Sequence, residues 1–216
     1  GLLSGSVPLL YPLAGSLALG FAYSADLPLL RWKRYPAVAA ACIIAVRTVA
    51  VQGGFYSHAR LSAGLPMMMM ASSAAASSSA STTYFLSSLP LPLAFAVGMM
   101  LAFSVGIAVL KDTPDTDGDE RAGVRTLSVQ LGPKTMLSFG AGLLMAAYAA
   151  ACVVSFATQA PGIRRTVLVA GHALAGGLLA KAASQVDVGS RGSITKFYMR
   201  VWKLFYAEYA LIPLMR

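Results

Sequence analysis

Residues 89–121 read LPLPLAFAVGMMLAFSVGIAVL followed by KDTPDTDGDER, a long apolar run that ends abruptly in an acidic segment. The apolar run, 89–110, contains no charged residue and is long enough to cross a bilayer as an α-helix, which needs about 20 apolar residues. Five further apolar stretches have a similar character, near 7–25, 36–58, 135–157, 166–183 and 198–215. We therefore predict an all-α, polytopic transmembrane helix bundle with about six spans.

The composition supports a membrane protein and excludes two other classes. With 57% hydrophobic and 12% charged residues, the chain is too apolar for a soluble domain with one core. A transmembrane β-barrel would show short alternating segments, whereas these runs are continuous. The net charge of +9 is spread among the spans and does not form a basic groove with stacking aromatics, so the predicted partner is the lipid bilayer and not nucleic acid.

The acidic segment, residues 111–121, is the strongest functional signal. Five of the chain's eight acidic residues lie within it, and such a cluster needs a cation to offset its self-repulsion. Mg²⁺ is the leading candidate, because it prefers oxygen ligands and is typically held by one or two carboxylates plus substrate phosphates. If the segment is helical, Asp112, Asp115 and Asp119 share one face. Pro114 and Gly118 predict that it lies at a helix end.

A solvated acidic turn between two spans is the alternative for this segment. Basic Lys111, Arg121 and Arg125 flank the acids, as a diphosphate site requires, and we therefore favour a metal and diphosphate site. A transporter or channel can also place acids near helix ends and an arginine within a span. Its acids should lie along a path inside the spans, whereas these are concentrated in one segment.

Four residues elsewhere are candidates for substrate binding. Lys33 and Arg34 follow the first span and either clamp a diphosphate or anchor the loop by the positive-inside rule. Tyr23, at the end of that span, is a candidate hydrogen-bond donor or cation-stabilising ring. Arg47 lies mid-span, where a charge costs about 2.5–3.5 kcal/mol on insertion scales. It either binds a substrate carboxylate or diphosphate, or forms an ion pair with an acid such as Glu208.

These residues resemble a known family. The pattern Lys111-Asp112-x-x-Asp115-x-x-Gly118-Asp119, together with the loop from Tyr23 to Lys33-Arg34, is similar to the UbiA superfamily of intramembrane prenyltransferases. Further segments resemble the branch that transfers a phytyl group to homogentisate: Leu30-Arg31-Trp32-Lys33-Arg34, Ala45-Val46-Arg47, Arg125-Thr126-Leu127-Ser128-Val129 and Tyr198 to Pro213.

The resemblance implies a bundle of nine transmembrane helices with two aspartate-rich motifs, of which only the second is in this chain. Residues 1–216 are then expected to be a single membrane domain, the C-terminal part of such an enzyme, and inactive alone. The first motif and about three helices would precede Gly1. Residues 65–83 are expected to be a low-complexity loop insertion.

The resemblance also implies roles for the candidate residues. Asp112, Asp115 and Asp119 become catalytic residues that bind Mg²⁺ and diphosphate. Lys111, Arg121, Lys33 and Arg34 become diphosphate ligands, and Tyr23 and Arg47 become substrate-binding residues.

The implied reaction is Mg²⁺-dependent transfer of a phytyl group from phytyl diphosphate to homogentisate in a plastid membrane. Homogentisate loses CO₂, giving 2-methyl-6-phytylbenzoquinol for tocopherol biosynthesis. A solanesyl or geranylgeranyl donor remains an alternative, as does a truncated, non-catalytic protein that binds prenyl lipids. The sequence leaves prenyl chain length, acceptor range and oligomeric state open.

Overall fold

A computed structural model describes residues 7–32, 35–64 and 90–215. Within these ranges every regular element is a helix, so the predicted all-α class is confirmed. The chain forms two compact units, Gly1–Gly98 and Met99–Arg216. The predicted low-complexity insertion, 65–83, lies outside the described residues.

The first unit is built around a close helix crossing. Its helical elements are α1 (Val7–Ser24), α2 (Pro36–Ile44), a π-helical turn (Ala45–Ala50) and α3 (Val51–Ser62). At Gly54 of α3, a side-chain Cβ would collide with the ring of Pro12 in α1. Small residues at such crossings let helix backbones approach closely, and Gly54 is therefore what allows α1 and α3 to pack.

The second unit holds the long helices that follow the acidic segment. It begins within α4, the helix Leu91–Leu110. The elements that follow are a 3₁₀ turn (Thr113–Asp115), α5 (Thr116–Arg121), α6 (Leu127–Leu131), α7 (Pro133–Thr158), α8 (Ile163–Ser184), α9 (Arg191–Leu211) and a final 3₁₀ turn (Ile212–Leu214). Glycines again mark a close crossing, here between α4 and α7. A Cβ on Gly140 would lie 2.8 Å from Leu110, and one on Gly106 would lie 3.2 Å from Leu144.

Aromatic rings fill the interior between these helices. Phe103 of α4 makes edge-to-face contacts with Tyr148 of α7 and Phe205 of α9, at centroid distances of 6.0 and 5.7 Å. All three side chains are buried. Because Phe103 lies only eight residues before the acidic segment, this packing fixes the helix end from which that segment emerges.

Five helices are long and apolar enough to cross a membrane, as judged by length and composition in the described residues. They are Val7–Ser24, Val38–Ser62, Leu91–Arg121, Pro133–Thr158 and Ile163–Ser184. Several of their large apolar side chains point outward, among them Leu17, Val153 and Leu174, each at least 66% exposed. Lipid is the environment that accommodates such a surface without the cost that water would impose.

The sixth predicted span, 198–215, needs correction. This part of the chain is helical, but α9 begins at Arg191 and ends at Leu211, and it is not among the five membrane-length apolar helices. Five charged residues explain the difference: Arg191, Lys196, Arg200, Lys203 and Glu208.

Candidate functional site

The acidic segment begins where α4 ends. Lys111 and Asp112 form a turn, the 3₁₀ turn Thr113–Asp115 follows, and α5 starts at Thr116. Thr113 anchors the turn: it is buried, its hydroxyl donates to the Val109 carbonyl at 3.5 Å, and its carbonyl accepts from Thr116 Oγ1 at 2.9 Å. The predicted helix end is therefore present. The segment is a turn followed by a short helix, so one continuous helical face through Asp112, Asp115 and Asp119 is not formed.

Electrostatic interactions link the three aspartates that were predicted to bind metal. The charges of both Asp119 and Asp115 act on Asp112, and Lys111 Nζ lies 3.8 Å from Asp112 Oδ2. Among the described residues, however, no three His, Cys, Asp or Glu side chains are gathered closely enough to hold a metal ion.

The donor chemistry of this segment nevertheless suits magnesium. All its candidate ligands are carboxylate oxygens, and Mg²⁺ requires only one or two of them when substrate phosphates and water complete the octahedron. The segment therefore offers the type of ligand that Mg²⁺ binds, although its carboxylates are not already gathered around one metal position.

Arg191 is a site residue that the sequence analysis missed. It is the first residue of α9, and its guanidinium forms an ion pair with the Asp115 carboxylate across 76 residues of sequence. Both side chains remain largely exposed, at 74% and 55%. Ser190 fixes the start of α9, since its hydroxyl accepts from the Ser193 backbone N–H at 3.3 Å. An additional guanidinium thus lies beside the acidic segment.

The structure describes one of the three remaining diphosphate candidates. Arg121 is exposed in the last turn of α5. Lys33 and Arg34 lie outside the described residues. Just before them, Trp32 Nε1 donates to the Leu29 carbonyl at 2.9 Å, and Arg31 forms a 2.7 Å ion pair with Asp26.

Tyr23 and Arg47, which the sequence offered as separate candidates, line one cavity of about 330 Å³ in the first unit. Arg47 lies in the π-helical turn, a rare element that often occurs at functional sites. The buried Gln52 supports this turn, since its Nε2 donates to the Arg47 carbonyl at 3.3 Å. Apolar side chains of Leu19, Ile43 and Val46 form much of the wall.

A second cluster of ionisable groups is buried in the other unit. His172 Nε2 of α8 lies 3.4 Å from Glu208 Oε2 of α9, and both side chains are fully buried. His172 Nδ1 lies 2.7 Å from the Leu168 carbonyl. Because a carbonyl only accepts, this contact places a proton on Nδ1. The Tyr148 ring lies beside this pair, with its centroid 6.4 Å from that of the His172 ring. Glu208, proposed from sequence as a possible partner of Arg47, is thus paired with His172.

Comparison with known proteins points to one family. A profile of the UbiA prenyltransferase family matches residues 1–204. A homogentisate geranylgeranyltransferase of Triticum aestivum is 40% identical over 219 residues, covering 99% of this chain and 47% of the relative. Homogentisate phytyltransferase 1 of Arabidopsis thaliana, a chloroplastic protein by name, is 41% identical over 217 residues, covering 100% and 50%.

A relative with a different acceptor also matches. Naringenin 8-dimethylallyltransferase 2 of Sophora flavescens, likewise named chloroplastic, is 35% identical over 212 residues, covering 98% of this chain and 47% of the relative. The chain thus spans about half the length of the curated relatives it matches. No solved structure matches it significantly.

Proposed function

Because the chain belongs to the UbiA prenyltransferase family, we propose that its protein transfers a prenyl group from a prenyl diphosphate to homogentisate. The observation that supports this most directly is the acidic segment at the end of an apolar helix, flanked by Lys111 and approached by Arg191. Relatives that act on homogentisate by name match almost the whole chain. The proposed location is a plastid membrane.

The acidic segment is the proposed donor site. Asp112, Asp115 and Asp119 would hold Mg²⁺ together with the diphosphate, and the bound ion would supply positive charge to the leaving group. Lys111 and Arg121 add cationic donors from the segment itself, and Lys33 and Arg34, which precede α2 in the sequence, are proposed to add two more. We add Arg191 to this set, because its guanidinium already lies at Asp115 and can form two parallel hydrogen bonds to phosphate oxygens.

The proposed reaction needs positive charge where the diphosphate leaves and exclusion of water where the allylic cation forms. The allylic C–O bond breaks, and its electron pair leaves with the diphosphate, where the basic side chains stabilise the developing charge. A ring carbon of homogentisate then bonds to the allylic carbon and gives up its proton. The acetate side chain loses its carboxylate as CO₂, and the side-chain carbon takes up one proton, equal to the one released by the ring, to become the methyl group. Water would capture the allylic cation, so the apolar helices serve to exclude it.

Two prenyl donors are supported almost equally. The Arabidopsis thaliana relative transfers phytyl by name and the Triticum aestivum relative transfers geranylgeranyl, and their identities to this chain, 41% and 40%, do not separate them. We propose phytyl diphosphate as the first donor to assay and geranylgeranyl diphosphate as the second. With phytyl the product is 2-methyl-6-phytylbenzoquinol.

Replacing acidic residues one at a time in the full-length protein tests this function. Asp115→Ala and Asp119→Ala should each lower Mg²⁺-dependent transfer by about 10²–10³-fold, the usual effect of removing one electrostatic group from an active site. Asp117→Ala is the matched control: Asp117 is an exposed aspartate in the same short helix, and it is not one of the three proposed ligands. Full transfer by the Asp115 and Asp119 variants, measured with radiolabelled donor, would remove the metal and diphosphate assignment.

A further inference from the structure

We propose that the cavity between Tyr23 and Arg47 binds the aromatic acid, with Arg47 holding the carboxylate and Tyr23 lying beside the ring. This inference rests on the proposed function for the identity of the acid. The cavity is formed by α1, α2 and the π-helical turn, within the first unit.

The charge of the cavity favours a ligand with one negatively charged group. Among the eight described residues that line it, Arg47 is the one Asp, Glu, Lys, Arg or His residue, and the walls are mostly apolar. A guanidinium in such surroundings attracts an anion more strongly than it would in water, and its planar fork matches one carboxylate. A diphosphate, with more charge, needs several cations or a metal, and the acidic segment is where the sequence provides for them.

The cavity is large enough for a small aromatic ligand. A volume of about 330 Å³ lies at the lower end of the range for ligand sites, roughly 300–1,000 Å³. That space is sufficient for one substituted ring. The Tyr23 ring and the apolar Leu19 and Ile43 offer the flat, dry contacts that an aromatic ring prefers.

The backbone places Arg47 at this cavity in a specific way. In the π-helical turn the backbone N–H of Val51 bonds to the Val46 carbonyl five residues earlier, so the turn is wider than an α-helical one. Gln52 donates to the Arg47 carbonyl from the next turn. We infer that Gln52 is a positioning residue, which keeps Arg47 in the π-helical turn.

Equilibrium binding to the full-length protein tests the site without requiring turnover. The two probes are homogentisate and methylhydroquinone, which has the same ring without the carboxyl group. Calorimetry should give a Kd for homogentisate about tenfold lower than that for methylhydroquinone, the value of one charge-assisted contact. Arg47→Gln should remove this difference. Arg60→Gln, which changes an arginine of α3 that contacts Tyr56 and not the cavity, should retain it.

A pair of glycine variants tests the cavity independently of the arginine. Gly20 and Gly15 both lie in α1 with open space where a Cβ would project, but only Gly20 lines the cavity. Gly20→Leu should therefore weaken homogentisate binding about tenfold or more, whereas Gly15→Leu should leave it unchanged. Both variants should fold, because leucine favours a helix more than glycine does.

Steady-state kinetics separate this inference from the proposed function. Arg47→Gln should raise the KM for homogentisate about tenfold and leave the KM for the prenyl diphosphate unchanged. A raised KM for the diphosphate, or homogentisate binding that ignores both Arg47 and Gly20, would overturn the acceptor site while leaving the transferase proposal intact. Absence of any transfer by the unmodified protein would instead defeat the proposed function, and the binding measurements would still decide whether the cavity takes the acid.

Discussion

The two ends of α9 hold ionisable pairs in opposite surroundings. At its start, Arg191 pairs with Asp115, and both side chains are mostly exposed. Seventeen residues later, about 25 Å along the helix at 1.5 Å per residue, Glu208 lies 3.4 Å from His172, and both are fully buried. One helix thus presents a pair that a ligand can reach and a pair that no ligand can reach.

The difference in burial predicts a difference in purpose. Water screens an exposed pair, so it typically contributes roughly 0–1 kcal/mol and its partners are easily exchanged. A buried pair has lost its water, and removal of one partner leaves the other without compensation. We infer that the His172–Glu208 pair fixes α9 against α8, whereas the Arg191–Asp115 pair is available for exchange with metal and diphosphate.

The largest expected effect is on the buried pair. Glu208→Ala should lower the free energy of unfolding by about 3–5 kcal/mol, because it leaves the buried imidazole facing a cavity without its acid. Chemical denaturation in detergent, followed by tryptophan fluorescence, measures this. Glu120→Ala is the control, since Glu120 is exposed in α5 and its loss should change stability by no more than about 0.5 kcal/mol.

A double variant shows whether the two buried groups act as a pair. His172→Leu with Glu208→Leu replaces both polar groups by apolar ones of similar size, and such replacements are often neutral or stabilising. The double variant should therefore be more stable than Glu208→Ala. If it is equally unstable, apolar replacement of both groups does not relieve the loss of the pair, and the comparison between the ends of α9 loses its buried half.

How well the sequence predicts a structural feature depends on how far apart in the chain the residues that produce it lie. Spans are visible because apolar length is a local property, and Leu91–Leu110 matches its prediction closely. The start of α9 was placed seven residues late because Arg191 and Lys196 interrupt the apolar pattern of a helix that continues through them.

Other features depend on contacts that no local pattern encodes. The pairing of Arg191 with Asp115 joins residues 76 positions apart, and basic residues near a span end are also what the positive-inside rule requires. The π-helical turn at Arg47 has the same composition as an α-helix, so nothing in Ala45–Ala50 distinguishes it. Tyr23 and Arg47 were both recognised as candidates, but their shared cavity required the packing of α1 against the π-helical turn.

A smaller effect on stability is expected at the exposed end of α9. Arg191→Gln should change the free energy of unfolding by less than about 1 kcal/mol but raise the KM for the prenyl diphosphate about tenfold, since one guanidinium contact to phosphate is lost. Arg200→Gln changes an exposed arginine of the same helix and should alter neither quantity. An unchanged KM in Arg191→Gln would mean that the pair with Asp115 is only a surface contact.

The smallest effect on stability, and the sharpest distinction, should come from exchanging the two charges. Asp115→Arg combined with Arg191→Asp re-forms an ion pair in the reverse sense, so the free energy of unfolding should be nearly unchanged. Transfer should nevertheless fall about 10²–10³-fold, as in Asp115→Ala, because a guanidinium at position 115 cannot bind Mg²⁺. If the exchange restores the transfer that Asp115→Ala lowers, the attraction between α9 and the acidic segment is what matters, and Asp115 is not a ligand. Loss of transfer in a stable double variant would instead make the exposed pair a functional contact, in contrast to the buried one on the same helix.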